Sequence, residues 1–118
     1  EDVSQTFSDK PGYKDTLKKR VIFYKQNLIE KLTRDDAVIL LPTLPHTAPK
    51  IDQPLAAAEI HKMITLTCFS SLMGLPQVQM PLVETLEKHP LGLSLMGIPQ
   101  SDTTLLSCAV DMEKHQTA

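Results

Sequence analysis

A chain of 118 residues and 13.1 kDa has room for a single hydrophobic core. Hydrophobic residues make up 42% of it and charged residues 22%, which argues against wholesale disorder and against a membrane-spanning chain. Twelve Lys and Arg against fourteen Asp and Glu leave a net charge of -2 and a pI near 6.1, without the basic footprint of a nucleic-acid binder.

Residues 1–8 carry no sustained period and read as a loose lead-in. From Asp9 a helix is expected, with Asp9 as N-cap and Pro11 just inside the start. Tyr13, Leu17, Val21, Tyr24, Leu28 and Leu32 then recur at steps of three and four, the spacing of one helix face. Ile22, Phe23 and Ile29 widen the stripe and predict contacts on more than one side, while the Lys18-Lys19-Arg20 cluster reads as solvated surface. Asp35-Asp36 ends the helix. The run Ala37 to Leu41 is continuously aliphatic and predicts a strand buried on both faces, as in the interior of an α/β sheet.

Three prolines within residues 42–49 forbid a helix there and make a stiff loop leaving a strand end, a place where ligand contacts tend to gather. Asp52 and Pro54 predict the start of a second helix, buried for most of its length through Ile60, Met63, Ile64, Thr67, Cys68, Ser71 and Leu72 and stopped by Gly74. A short strand is expected at Gln77 to Met80, bounded by Pro76 and Pro81, and another at Leu91 to Met96, interrupted by Gly92. Glu84 to His89 connects them. Ser101 or Asp102 caps a last helix whose buried set is Leu105, Leu106, Ala109, Val110 and Met112. The order helix, strand, helix, strand, strand, helix is a layered α/β arrangement.

Local signatures of chemistry are absent. His46, His61, His89 and His115 are scattered without metal-ligand spacing, so no metal and no cofactor are expected. Gly92 and Gly97 stand at P-loop separation, but Ile98-Pro99 replaces the residues that would hold phosphate and magnesium. Gly92-Leu93-Ser94-Leu95-Met96 opens like a nucleophile elbow, yet Met96 fills the place of the second glycine, so Ser94 reads as a strand residue. Cys68 and Cys108 lie in apolar stretches as buried thiols, which fits a reducing, cytoplasmic compartment. The chain opens on Glu1 and not on Met, leaving an internal piece and a processed product both open.

Four segments in series carry a resemblance: Asp35-Asp36-Ala37-Val38-Ile39-Leu40-Leu41-Pro42-Thr43-Leu44-Pro45 with Ala48-Pro49, then Gly74-Leu75-Pro76-Gln77-Val78-Gln79-Met80-Pro81-Leu82, then His89-Pro90-Leu91-Gly92-Leu93-Ser94-Leu95-Met96-Gly97, then Asp102 through Leu105-Leu106. Their order and spacing resemble the C-terminal part of amidase signature family hydrolases, over about residues 10–116. The stretch Gln77 to Met80 looks like the plant-type indoleacetamide hydrolases and their amidase-like import-receptor relatives.

The resemblance implies a layered α/β/α fold with a mixed sheet, and hydrolysis of carboxylic amides by a serine nucleophile, a cis-peptide serine and a lysine. In that chemistry a neutral lysine relays a proton through the second serine, while backbone N–H groups hold the oxyanion. The Gly/Ser-rich signature and the upstream lysine that supply these groups have no counterpart in this sequence, so no catalytic residue carries over. Thr43, Leu44, Thr65 and Phe69 do carry over, as the wall of the substrate pocket on the acyl side. The chain is thus expected to be the C-terminal third of an amidase domain, partnered by the N-terminal remainder or, alone, by copies of itself. A non-catalytic amidase-like docking module is the alternative, and a free-standing small α/β domain a third reading.

Overall fold

The computed structural model describes residues 11–116, so the expected cap at Asp9 and the lead-in at 1–8 lie outside the described residues. Three helices and three strands follow one another as α1 (Tyr13–Asp35), β1 (Ile39–Pro42), α2 (Ala57–Met73), β2 (Gln77–Glu84), β3 (Pro90–Met96) and α3 (Asp102–Gln116). The strands form one sheet in the order β1-β3-β2, and both pairings are antiparallel. A parallel neighbour, which would make the sheet mixed, is not among the described residues.

The sheet separates two apolar layers, because successive side chains of a strand point to opposite faces. Met96 on β3 and Ile39 and Leu41 on β1 point one way and pack with Met73, Leu75 and Phe69 near the end of α2 and with Val21, Leu28 and Ile29 of α1. Leu95 and Leu93 on β3 and Met80 and Val78 on β2 point the other way, under Leu105, Cys108, Ala109 and Met112 of α3. The result is α/β/α layering.

The helix ends follow backbone chemistry. Asp36 ends α1 in the left-handed region at φ 48°, with its N–H closing on the Leu32 and Thr33 carbonyls. Gly74 ends α2 at φ 63°, a conformation glycine adopts without steric cost, and Leu75 N–H returns to the Ser70 carbonyl to complete the cap. Lys25 Nζ would lie 3.2 Å from a Cβ at Gly74, placing its charge beside the carbonyl end of α2, where a cation is favoured.

Several expectations are corrected. The strand β1 begins at Ile39 and lies at an edge, with alternate residues exposed, because only β3 pairs with it and α3 packs mainly on β2. Helix α2 starts at Ala57 and not at Asp52-Pro54, and it is not buried along its length: Ile60, Ile64 and Leu72 stay exposed because the sheet reaches only its C-terminal end. Strand β2 runs past Pro81 to Glu84, its register shifting between Met80 and Val83, so the proline is accommodated by a bulge and does not end the strand. Leu17 and Tyr24 on α1 and Leu106 and Val110 on α3 are exposed, and Cys68 and Cys108 are half-buried. No helix among the described residues is long and apolar enough to cross a membrane.

The molecule is flat, 56 × 45 × 17 Å, with a radius of gyration of 17.4 Å. A compact domain of this length would have about 13 Å. The excess follows from a sheet only three strands wide beneath a 23-residue helix.

Candidate functional site

The loop after β1 and the start of β3 meet in one place. Thr43 N–H donates to the Gly92 carbonyl at 3.1 Å, which continues the β1–β3 ladder one residue past Pro42 and fixes Thr43 beside Gly92. The Thr43 and Ser94 hydroxyls are then 2.7 Å apart. Ser94 is fully buried, and a buried hydroxyl proton without a partner is costly. Either hydroxyl can donate across this contact; with Ser94 as the donor its buried proton is satisfied and the Thr43 proton is left for a ligand.

Gly92 makes this approach possible. A Cβ there would lie 2.9 Å from Thr43 Oγ1 and would collide with Gln79 Nε2. Gln79 pairs with Ser94 across the ladder and so shares its face of the sheet. Above that face lies a pocket of about 470 Å³ bordered by Thr43, Leu44, His46, Gln79, Leu91 and Gly92. His46 closes its side: Nδ1 donates to the Thr47 carbonyl at 2.8 Å, and Nε2 is buried with no hydrogen-bond partner. In the neutral ring this tautomer leaves Nε2 an acceptor. Apolar walls with a few polar groups are the make-up of a small-molecule site, here with a hydroxyl and a carboxamide at the border and an imidazole in the wall.

Of the pocket residues expected from sequence, Thr43 and Leu44 line this depression. Thr65 and Phe69 do not border it. Thr65 is exposed on α2, where its hydroxyl donates to the His61 carbonyl at 2.9 Å, and Phe69 packs on Met73, Leu75 and Met96. Ser94, buried behind Thr43, and Gln79, which borders the depression, are not singled out as site residues by sequence reasoning, and His46 enters it only as part of the proline-rich ligand-contact loop. A signal for the first two exists: small or polar residues at alternate positions of otherwise apolar strands, Gly92 with Ser94 and Gln77 with Gln79, mark one face of the sheet. No group of three or more His, Cys, Asp or Glu among the described residues is placed to hold a metal ion.

The family model for Amidase matches residues 2–106. The chain belongs to the amidase family. Among amidase relatives, a glutamyl-tRNA(Gln) amidotransferase subunit of Methanosarcina mazei is 31% identical over 121 residues, covering 93% of this chain and 24% of the relative. The corresponding protein of a Psychrobacter species is 36% identical over 78 residues, covering 66% of this chain and 16% of the relative. A fatty acid amide hydrolase of Medicago truncatula is 31% identical over 104 residues, covering 83% of this chain and 16% of the relative. The amidase chain described here therefore spans a quarter or less of the length of these curated relatives. No solved structure matches it.

Proposed function

We propose that this chain serves the hydrolysis of carboxylic amides as sheet framework and substrate-pocket wall, while the serine, cis-peptide serine and lysine that attack the bond are carried by amidase polypeptide outside these 118 residues. The observation that carries the reading is the coverage: 93% of the chain aligns with only 24% of the Methanosarcina relative. The open, flat shape supports it, since a radius of gyration of 17.4 Å is larger than a self-contained domain of this length would have. In this reading the Thr43 hydroxyl and the Leu44 side chain face an amide substrate across the pocket, Thr65 and Phe69, which do not border the depression of this chain, join the wall through α2 in the completed domain, and the working partner is the N-terminal remainder of the domain. Two free thiols, Cys68 and Cys108, suit a reducing cytoplasmic setting.

The test is direct. The purified 118-residue chain, given simple aryl amides, is expected to release no amine above the buffer background at any pH from 6 to 9. Turnover that is lost when Ser94 or Thr43 is replaced by alanine would reject the proposal, because it would give the chain a nucleophile of its own.

A further inference from the structure

The depression beside Gly92 has a border without formal charge. Charged residues make up 22% of the chain, yet among the described residues none that borders the depression is Asp, Glu, Lys or Arg. Its one histidine, His46, donates Nδ1–H to the Thr47 carbonyl and buries Nε2. The ionic groups of the nearby β2–β3 turn face each other, Lys88 with Glu84 and His89 with Glu87, and all four are exposed. Polar groups of the border gather at one end, where the Thr43 hydroxyl and the Gln79 carboxamide both lie against Gly92. Leu44, Ala48, Pro90 and Leu91 supply an apolar remainder. This wall is also stiff. Pro42, Pro45 and Pro49 fix φ along the loop, and the bond from Thr43 N–H to the Gly92 carbonyl ties the loop to β3.

These features restrict what the wall accepts. An ammonium or a carboxylate that leaves water for this depression loses hydration and meets no opposite charge. An apolar group gains by covering Leu44, Pro90 and Leu91, and a single polar edge on it is met by Thr43 and Gln79. Because the loop is held in place beforehand, little ordering cost offsets that gain. We propose that this wall selects amides whose acyl part is uncharged and largely apolar, and rejects amides whose acyl part carries an ammonium or a carboxylate. The proposal rests on the amidase-segment reading and narrows it to one class of substrate.

The experiment titrates the isotope-labelled full chain with three probes of one shape, phenylacetamide and its para-aminomethyl and para-carboxy derivatives, and follows the backbone amide resonances at neutral pH. Phenylacetamide is expected to shift Thr43, Leu44, Gln79 and Gly92, and to bind at least about tenfold more tightly than either charged probe. Leu44→Asp, at a loop position outside both apolar layers, supplies the missing counter-charge. It is expected to raise the affinity of the ammonium probe at least about tenfold over wild type, while Leu44→Asn does not. Equal binding of the three wild-type pairs, preference for a charged probe, shifts confined to another surface, or no binding of any probe up to its solubility each overturns the proposal. If Leu44→Asp loses the dispersed resonances of a folded chain, the comparison of the three probes on wild type decides alone. The amidase-segment reading fails by a different result, turnover of an amide by the isolated chain.

Discussion

Leu105→Ala is expected to destabilise the fold by about 2–5 kcal/mol, whereas Leu106→Ala next to it changes stability by about 0.5 kcal/mol or less. Sequence treats the two leucines as a pair. The structure separates them: Leu105 is 2% exposed and packed on Met80 and Leu95, and Leu106 is 57% exposed. Truncation at Leu105 removes buried methyl groups packed on Met80 and Leu95 and leaves a cavity between α3 and the sheet. Domains of this size are stable by only about 5–15 kcal/mol, so the loss is a large share of the total. Urea unfolding of the two variants, monitored by far-UV circular dichroism, checks the contrast. Equal midpoints would show that α3 does not seat Leu105 on the sheet.

The second large effect is expected at the pocket. Gly92→Ala should cost about 1–3 kcal/mol, and it should do so through Ser94. The new methyl displaces two side chains. Gln79 is exposed and can swing its amide into water at little cost. Thr43 is held by its backbone bond to residue 92 and by the hydroxyl contact at 2.7 Å, so moving it strips the fully buried Ser94 hydroxyl of its partner. Gly92→Ala combined with Ser94→Ala is therefore expected to be more stable than Gly92→Ala alone, because the unsatisfied hydroxyl is gone. A double variant less stable than either single one would place the cost of Gly92→Ala elsewhere.

Much of the fold is legible in the sequence because it rests on short-range rules. Asp36 and Gly74 end their helices where the sequence predicts, since left-handed backbone after a helix selects those residue types. The connection between β2 and β3 falls at Thr85 to His89, one residue later than the expected Glu84, because the mostly polar run leaves the apolar alternation. Layering follows from element order. Composition misleads when it is used as a measure of burial. Ile60, Ile64 and Leu72 have the spacing of a core face, but a core face needs an opposing surface, and the sheet ends before it reaches them. Pro81 has the look of a boundary, although an edge strand absorbs a proline through a bulge.

The site is half legible. Thr43 and Leu44 lie in the loop that leaves β1, where strand-end geometry favours ligand contacts, and both line the pocket. Gln79 is brought to the pocket, and Ser94 to its buried place behind Thr43, by register across two strands, and register is a long-range property that local patterns do not encode. In sequence His46 stands in the proline-rich loop where ligand contacts gather, and as a histidine without metal-ligand companions. Its role as a wall residue depends on the turn that points Nδ1 at the Thr47 carbonyl and buries Nε2.

The salt bridges contribute little to any of this. Arg34–Asp35, Lys62–Glu59 and Lys88–Glu84 are all solvent-exposed, and pairs of that kind are worth at most about 1 kcal/mol. The fold depends on its two apolar layers.

Fatty acid amide hydrolysis by a chimera in which this chain replaces the matched segment of the Medicago truncatula fatty acid amide hydrolase is the measurement that bears on the proposed amidase-segment reading most directly. Turnover is predicted when this chain fills the place of the matched segment, and none when that segment is deleted. A soluble, folded chimera that is as silent as the deletion would contradict the claim that these residues build the frame and wall of an amide-cleaving site.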